Sequence, residues 1–577
     1  MQLPNSMANM TRLRHLNITG CLQLARMPSY IDKLHELQTL SIYVVEETPG
    51  RSISQLERLD LHGELKIKYL SRLYDPGQAR LARFWDKVNL ELLGLYWREI
   101  DDESVTESDV ASLLKKERPS SSNSSEQHEQ DAAVAEVISA LQPHYNLKRF
   151  LLRDYPGTKF PAWIGDLHSL VVVDLRQCNR CQLLPTLGKL SSLRILTLRG
   201  MNGVRRIGKE FYDEDEEWSS TFFQSLKELA LIDFPSLEEW SSPDGQDAFP
   251  MMSKLIINRC PNLQAMPFFE SLQHLELREC SAAILNSFEI STSISVFIIE
   301  KVSGLLSLSG ELLAHRSNLT SLEIISCREL QSLPSELGNL TALKSLTIRW
   351  CENLSSLPQD LKNLTALESL EIGDCYSLTA LSKDQIRGLS SLRILSIENC
   401  TNLSSLPKSL HYLASLEHLT LMFCPSLDSL PEDLQHLPAL HSLTIISCPK
   451  FSRLPQGLQH VKMLHRLEIR SCPGLIALPE HVENLTSLRS LAISDCPNLK
   501  CLPDGLNLLT ALQHLSIQHC PELEEQFAQK GGEDWPKIAG IPHKHIGSPI
   551  SRQSSGDSSS NTCFGLQFKK FLKMLKK

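Results

Sequence analysis

The stretch LKSLTIRWCENLSSLPQDLKNLTALESLEIGDC, residues 343–375, contains one complete unit of a repeat and the start of the next. In its first part, LxxLxI, apolar and polar residues alternate, which is typical of a short strand with one buried face. In its second part, LxxLPxxLxxL, the apolar residues are about three apart, and Pro358 limits regular α-helix. Each unit therefore predicts one strand followed by an irregular or 3₁₀ turn.

A column of nine cysteines sets the length of the repeat. Successive members are 24 residues apart, with a single step of 25. Aligned on them, the sequence follows the frame LxxLxIxxCxxLxxLPxxLxxLxx, which is the leucine-rich-repeat signature. The fold class that this frame predicts is an α/β repeat, a curved, horseshoe-shaped solenoid with a parallel β-sheet on its concave face and mostly irregular, 3₁₀ or short helical turns outside. The column comprises Cys327, Cys351, Cys375, Cys400, Cys424, Cys448, Cys472, Cys496 and Cys520.

We expect this cysteine column to be structural. A small side chain directly after the strand points into the core and offers its S–H group to backbone carbonyls. A metal site needs clustered ligands, and the only CxxC motif, Cys178 to Cys181, has no second pair at suitable spacing. Disulfides between coils need a geometry that parallel, in-register side chains rarely present. Neither a metal nor a cofactor is therefore expected.

The composition favours one elongated array over several globular domains. Leucine accounts for 102 of the 577 residues, whereas aromatic residues make up only 6%. The formal net charge of −9 argues against a nucleic-acid partner, because neutralising phosphates requires a basic surface. The sequence contains neither an apolar run of about 18 residues nor a signal or transit peptide, so we expect a cytoplasmic chain.

The phase of the repeat predicts six segments. They are degenerate N-terminal repeats without an N-terminal cap (1–97), an acidic, serine-rich insertion expected to be disordered (98–136), irregular repeats (137–318), regular 24-residue repeats (319–520), a C-terminal cap (521–547), and a serine-rich linker with a basic tail (548–577). Leu3 and Pro4 fall on the repeat positions of Leu357 and Pro358, so the chain starts halfway through a coil. Because solenoids need capped ends, we expect an upstream part to be missing.

The tail CFGLQFKKFLKMLKK, residues 563–577, has the pattern of a short basic amphipathic helix. Its lysines predict peripheral contact with an anionic membrane surface, with Cys563 as a candidate for lipidation, or contact with the acidic loops of the chain itself. A disordered tail without such a role is the simpler alternative.

The sequence contains no phosphate loop, no HExxH or GxSxG motif and no GxGxxG after a strand, so we expect binding on the concave face rather than catalysis. Trp350 and Phe423 stand where most coils have Ser, Asp or Asn, and they are flanked by Arg349 and Met422. We interpret both aromatics as anchors of a protein interface, with local packing on neighbouring coils as the alternative. The other candidate residues on this face are Glu323, Ile325, Thr347, Glu371, Glu398, Ile446, Glu468 and Arg470.

Several segments resemble the leucine-rich-repeat region of plant intracellular immune receptors, the nucleotide-binding leucine-rich-repeat disease-resistance proteins of the coiled-coil type. They include LRHLNITGCLQLARMPSYIDKLHELQTLSIYVV (13–45), VISALQPHYNLKRFLLRDYPGTKFPAWI (137–164), LPTLGKLSSLRILTLRGMNGVRRIGKEFY (184–212) and GEDWPKIAGIPHKHI (532–546). The resemblance implies recognition of a pathogen effector or a guarded host protein, and contact with the receptor's own nucleotide-binding domain in a longer form. Nucleotide binding is not carried over, because this sequence has no phosphate loop.

The resulting interpretation is the protein-recognition module of a plant immune receptor that lacks its nucleotide-binding switch. A leucine-rich-repeat substrate adaptor for ubiquitin ligation is an alternative, and it requires an F-box-like helical segment that we do not find in the sequence. A receptor fragment without function is a further alternative.

Overall fold

The computed structural model describes residues 2–98, 124–213, 222–242, 248–286, 292–528 and 532–547, apart from positions 22, 47 and 49. Each repeat contributes one strand, and successive strands pair in parallel with equivalent repeat positions side by side, as for Leu346 with Leu370. Twenty strands form one continuous sheet, and no pairing among the described residues joins its first strand to its last. The architecture is therefore the open, parallel-sheet solenoid that the repeat predicts.

The strands of the described residues are numbered in chain order. They are β1 His15–Leu16, β2 Thr39–Leu40, β3 Ile42–Val44, β4 Gly63–Lys68, β5 Leu90–Tyr96, β6 Arg149–Arg153, β7 Val172–Arg176, β8 Ile195–Arg199, β9 Arg206–Ile207, β10 Glu228–Ile232, β11 Glu239–Trp240, β12 Lys254–Asn258, β13 His274–Arg278, β14 Val296–Glu300, β15 Ser321–Ile325, β16 Ser345–Arg349, β17 Ser369–Gly373, β18 Ile394–Glu398, β19 His418–Met422, β20 Ser442–Ile446, β21 Arg466–Arg470, β22 Ser490–Ser494, β23 His514–Gln518 and β24 His543–Ile546. Two short pairs, β1 with β2 and β9 with β11, lie outside the long sheet.

Most outer-side elements are single turns of 3₁₀-helix. In five regular coils the proline of the LP dipeptide directly precedes the turn, with φ between −74° and −65°. Proline fixes φ near this value, so the dipeptide sets the start of the turn. The 3₁₀ turns are Asn5–Asn9, Ile31–Lys33, Ile53–Leu56, Leu70–Arg72, Phe84–Asp86, Ser335–Asn339, Gln359–Asn363, Leu410–Tyr412, Glu432–His436, Gln456–His460, Val482–Asn484, Asp504–Leu508 and Trp535–Lys537.

The α-helices of the described residues are few and mostly short. The 25-residue step between Cys375 and Cys400 contains one of them, whose capping box joins Ser382 and Gln385. The α-helices are α1 Pro76–Leu81, α2 Ser124–Ala140, α3 Trp163–Asp166, α4 Lys209–Tyr212, α5 Ala283–Asn286, α6 Gly310–Ala314, α7 Lys383–Ile386 and α8 Pro521–Ala528. No helix in the described part of the chain is both long and apolar enough to cross a bilayer.

Helix α2 begins inside the insertion 98–136, which the sequence predicts to be disordered. Val137 and Ile138 near its end are buried in the core, and Arg180 donates two hydrogen bonds of 2.6 and 2.7 Å to Asp131. The prediction of disorder is wrong for residues 124–136, because these tertiary contacts stabilise a helix that the polar composition alone does not indicate.

Three predicted features lie outside the described residues. They are the remainder of that insertion (99–123), most of a second acidic loop predicted from the run EFYDEDEE at 210–217 (its residues 214–217), and the linker with the basic tail (548–577).

The core is a continuous stack of leucine and isoleucine side chains. In the coil of β16, Leu346, Ile348, Leu354, Leu361 and Leu364 are fully buried. Burying one such side chain contributes about 1.5–3 kcal/mol, and a coil buries its leucines only against the coils on either side. At the C-terminal end, the core packs against Ile538, Ile541 and Trp535. Stacking of the coils therefore holds the sheet in place and leaves its opposite, concave face available for binding.

Candidate binding surface on the concave face

The residue that follows each strand adopts a left-handed backbone conformation in every coil from β6 to β23 of the long sheet. Its φ lies between 50° and 69°. Glycine tolerates this conformation because it has no Cβ to crowd the backbone, and asparagine and aspartate tolerate it because their short polar side chains form local hydrogen bonds. This agrees with the recurrence of Asp and Asn at this position, where Ser also recurs. The position is occupied by Asp154, Gln177, Gly200, Asp233, Arg259, Glu279, Lys301, Ser326, Trp350, Asp374, Asn399, Phe423, Ser447, Ser471, Asp495 and His519.

The left-handed residue turns the next side chain, that of the column cysteine, into the core. All nine column cysteines are buried as free thiols. Each Sγ donates to the carbonyl two residues earlier, at distances from 3.2 Å for Cys472 to 3.6 Å for Cys327. The same thiol hydrogen bond thus recurs at the turn that follows each of these strands.

Trp350 and Phe423 are exposed on the edge of the concave face. Trp350 is 44% exposed and Phe423 is 39% exposed, although φ is 54° at both positions. The guanidinium of Arg349 lies 5.3 Å from the centre of the Trp350 ring, within the range of a cation–π contact. Both large side chains therefore occupy a backbone position that disfavours them and still present a large part of their surface to solvent.

Arg349 is held by carboxylates from the next two coils. It forms an ion pair with Glu398 and lies 3.7 Å from Asp374. Its side chain passes over Gly373, where an added Cβ would lie 3.0 Å from Arg349 Nε. Asn399 Nδ2 in turn donates a 2.7 Å hydrogen bond to Asp374. The result is a fixed polar surface between the two exposed aromatics.

The remaining predicted residues lie on the same face but differ in burial. Strand pairing places Glu323, Thr347, Glu371 and Glu468 in one column, and Ile325, Arg349, Glu398, Met422, Ile446 and Arg470 in the next. The half-buried members are Glu323, Ile325, Thr347, Arg349, Glu398, Ile446 and Arg470.

Three predicted residues are buried and do not offer a free surface. Met422 is 5% exposed, and Glu398 and Ile446 lie beside it in the neighbouring strands. Glu468 is 7% exposed and forms ion pairs with Arg466 and Arg470. Glu371 is buried as well. Met422 therefore flanks Phe423 in the sequence without adding exposed surface beside it.

The irregular repeats also contain an ion-pair network that was not predicted from the sequence. Arg259 lies 3.3 Å from Asp233 and 3.2 Å from Glu279, which also contacts Lys301 at 3.0 Å. Burial acts to raise the pKa of Glu279, but Lys301 and Arg259 outweigh it and hold that pKa below its ordinary value. All four residues occupy the left-handed position of Trp350, so extending that column upstream would have found them.

Two family descriptions match the chain. The family described as R13L1/DRL21 LRRs matches residues 53–201 and 450–520, and the one described as a leucine-rich repeat region matches residues 262–470. Together they cover residues 53–201 and 262–520, which is more than half of the sequence.

Curated relatives are plant disease-resistance proteins. An RPP13-like disease-resistance protein of Arabidopsis thaliana is 30% identical over 319 residues, covering 52% of this chain and 27% of that protein. Disease resistance protein RGA2 of Solanum bulbocastanum is 29% identical over 307 residues, covering 52% of this chain and 27% of that protein. The matched region thus spans about a quarter of the length of these relatives.

Among solved structures, a leucine-rich-repeat protein of Leptospira interrogans aligns with 66% of this chain and 91% of its own, at 20% identity and a TM-score of 0.43. The repeat frame, the strand register and the two family matches agree with one another. The chain is a leucine-rich-repeat protein, and its repeats are similar to those of plant disease-resistance proteins.

Proposed function

We propose that the chain is a non-catalytic recognition module of a plant immune receptor, and that its concave face binds a pathogen effector or a host protein that such an effector targets. The observation that carries this proposal is the exposure of Trp350 and Phe423 at left-handed backbone positions. A bulky residue there costs on the order of 1 kcal/mol relative to Asn or Gly, and strain of this kind is concentrated at functional sites.

The spacing of the two aromatics suits a protein interface. Three strand steps separate β16 from β19, which at the usual strand spacing places Trp350 and Phe423 about 14 Å apart. The ion pair of Arg349 with Glu398 lies between them. Aromatic and arginine side chains grouped in this way are the usual anchors of protein interfaces.

We also propose that the chain acts in the cytoplasm. Its further partner in a longer form is the receptor's own nucleotide-binding domain, and residues 563–577 add peripheral contact with an anionic membrane. These expectations rest on the resemblance to disease-resistance proteins and on the basic tail.

Affinity capture tests the proposal. The tagged chain and the variant Trp350→Asn/Phe423→Asn are incubated with extracts of healthy and pathogen-challenged leaf tissue. Asparagine is favoured at left-handed positions, so the variant keeps the fold, which circular dichroism verifies. Leu508→Asn, at an exposed position on an outer 3₁₀ turn, is the control.

We expect a protein recovered with the unaltered chain and with the control to be lost with the double variant. Equal recovery with all three proteins would overturn the proposal.

A further inference from the structure

The C-terminal end of the concave face carries an excess of positive charge. Its surface positions in β20–β24 include Arg466 and Arg470, and Arg489 directly precedes β22. Glu468 is the single carboxylate within these strands, and it lies 2.7 Å from Arg466 and 2.6 Å from Arg470. Asp495, which directly follows β22, lies 3.0 Å from His519. Arg489 is exposed and makes no ion pair with the described residues. Three arginines against two carboxylates leave a positive excess, with Arg489 unpaired.

The coils of β12 and β13 do not share this excess. Arg259 contacts both Asp233 and Glu279. Arg278 likewise contacts both Glu276 and Glu300. Each of these two arginines is therefore compensated within the sheet.

Imidazole and hydroxyl groups lie on the same surface as these arginines. The rings of His441 and His465 stack with their centres 5.0 Å apart, and those of His514 and His543 stack at 4.8 Å. Ser490 lines one cleft with His514 and His543 at the end of the sheet. Guanidinium groups only donate hydrogen bonds, and hydroxyl and imidazole groups are able to donate them, so the surface is suited to a ligand rich in acceptors.

We propose that this surface, formed by the last coils from His441 to His545, binds an acidic, extended polypeptide segment of a partner protein. Arginine pairs with carboxylates through two parallel hydrogen bonds, and serine hydroxyls donate to the same oxygens. Adjacent strands repeat the donors about every 4.8 Å, close enough for one extended segment to meet several coils. The inference rests on the proposed function, because it assigns partner chemistry to one part of the same recognition face.

A carboxylate-bearing polypeptide fits this surface better than a nucleic acid. Single-stranded nucleic acids are bound by basic grooves whose exposed aromatic rings stack with the bases. The concave positions of β20–β24 contain no Trp, Tyr or Phe. The formal net charge of the whole chain is −9, which also opposes a phosphate backbone.

Fluorescence anisotropy with the full chain tests the inference. The probe is a labelled twelve-residue peptide of alternating Glu and Ala, compared with its Gln–Ala analogue and with a twelve-nucleotide RNA. The variant is Arg489→Gln. The matched control is Arg194→Gln, because Arg194 is also exposed and also directly precedes its strand, at the other end of the sheet.

We expect the Glu–Ala peptide to bind at least tenfold more tightly than the Gln–Ala peptide. Arg489→Gln should weaken binding of the Glu–Ala peptide about threefold to fivefold, because one exposed charge pair contributes an effect of this size. Arg194→Gln should leave the affinity for this peptide unchanged. Absence of binding, equal affinity for both peptides, an equal effect of the two variants, or tighter binding of the RNA would overturn the inference. If a partner is still captured through Trp350 in any of those cases, the proposed function stands without it.

Discussion

Arg349 forms an ion pair with Glu398, which lies two coils further along the solenoid. The guanidinium reaches it by crossing the strand of the intervening coil at Gly373, where the missing side chain leaves room. The same guanidinium lies 5.3 Å from the centre of the exposed Trp350 ring. One ion pair thus connects three coils and fixes the polar group next to the aromatic anchor.

Gly373→Ala should displace Arg349 and lower the free energy of unfolding by about 1 kcal/mol, because its Cβ would lie 3.0 Å from Arg349 Nε. In an Arg349→Gln background the shorter side chain relieves the contact. Gly373→Ala should therefore lower the free energy of unfolding much less in that background. A double-mutant cycle measured by urea unfolding gives the coupling. Gly540→Ala, with no atom within 4 Å of the added Cβ, is the neutral control. If Gly373→Ala lowers the free energy of unfolding equally in both backgrounds, the passage of the Arg349 side chain over Gly373 is not the cause of the loss.

Trp350→Asn should leave the chain at least as stable as before, with a gain of up to about 1 kcal/mol, because φ is 54° at this residue. Trp350→Phe should bring no such gain, since it keeps a large side chain at the same position. Urea unfolding of the two variants and the unaltered chain provides the comparison. If Trp350→Asn instead destabilises the chain by more than about 1 kcal/mol, the ring serves local packing, the alternative to an anchor.

The column cysteines should resist alkylation in the folded chain. Burial raises the pKa of Cys351 and of Cys375 to about 12, so both remain protonated near neutral pH, and the protonated thiol is a poor nucleophile. Cys501 is exposed and Cys21 is half-buried. Among the described cysteines, iodoacetamide labelling at pH 7.5 with peptide mass spectrometry should modify Cys501 first, whereas labelling in urea should modify all of them. A column cysteine that reacts as fast as Cys501 would contradict the burial of the cysteine column.

Lys87 should make stability depend on pH above neutrality. Burial lowers its pKa from 10.5 to about 8, and Nζ donates 2.8 Å hydrogen bonds to the carbonyls of Leu56 and Leu59. Between pH 8 and 10.5 the unfolded chain keeps this proton and the folded chain does not, so stability rises with pH.

The variant Lys87→Met isolates this contribution. We expect the unaltered chain to gain stability relative to Lys87→Met as the pH rises from 8 to 10.5 in urea unfolding. A constant difference, or one that shrinks over this range, would contradict a lowered pKa for Lys87.

The repeat frame could be predicted because each of its positions meets the same surroundings in every coil. Leu346 pairs with Leu370, and Ile348 pairs with Ile372, so one alignment assigns the strands and the buried positions of the regular array together. The left-handed residue was also visible as a recurrence of Ser, Asp and Asn before the cysteine. The recurrence alone did not predict the left-handed backbone, because Ser, Asp and Asn are also common in ordinary turns.

Contacts between coils could not be predicted in the same way. The ion pair of Arg349 with Glu398 depends on the absence of a side chain at Gly373, and a repeat alignment treats each coil separately. Helix α2 depends on Arg180, which is 49 residues from its partner Asp131. The burial of Met422 was not predicted either, because Arg349 and Ile446, at the same repeat position, are half-buried.

Photo-cross-linking tests recognition by the concave face most directly. A benzophenone-bearing amino acid is placed at position 350, where it replaces an aromatic residue, and in a second protein at position 508, which is 63% exposed on an outer turn. Both proteins are irradiated with the extract of pathogen-challenged tissue from which a partner is captured. We predict a covalent adduct with that partner from position 350 and none from position 508. An adduct formed from position 508 alone, or equally from both, would contradict recognition through the concave face.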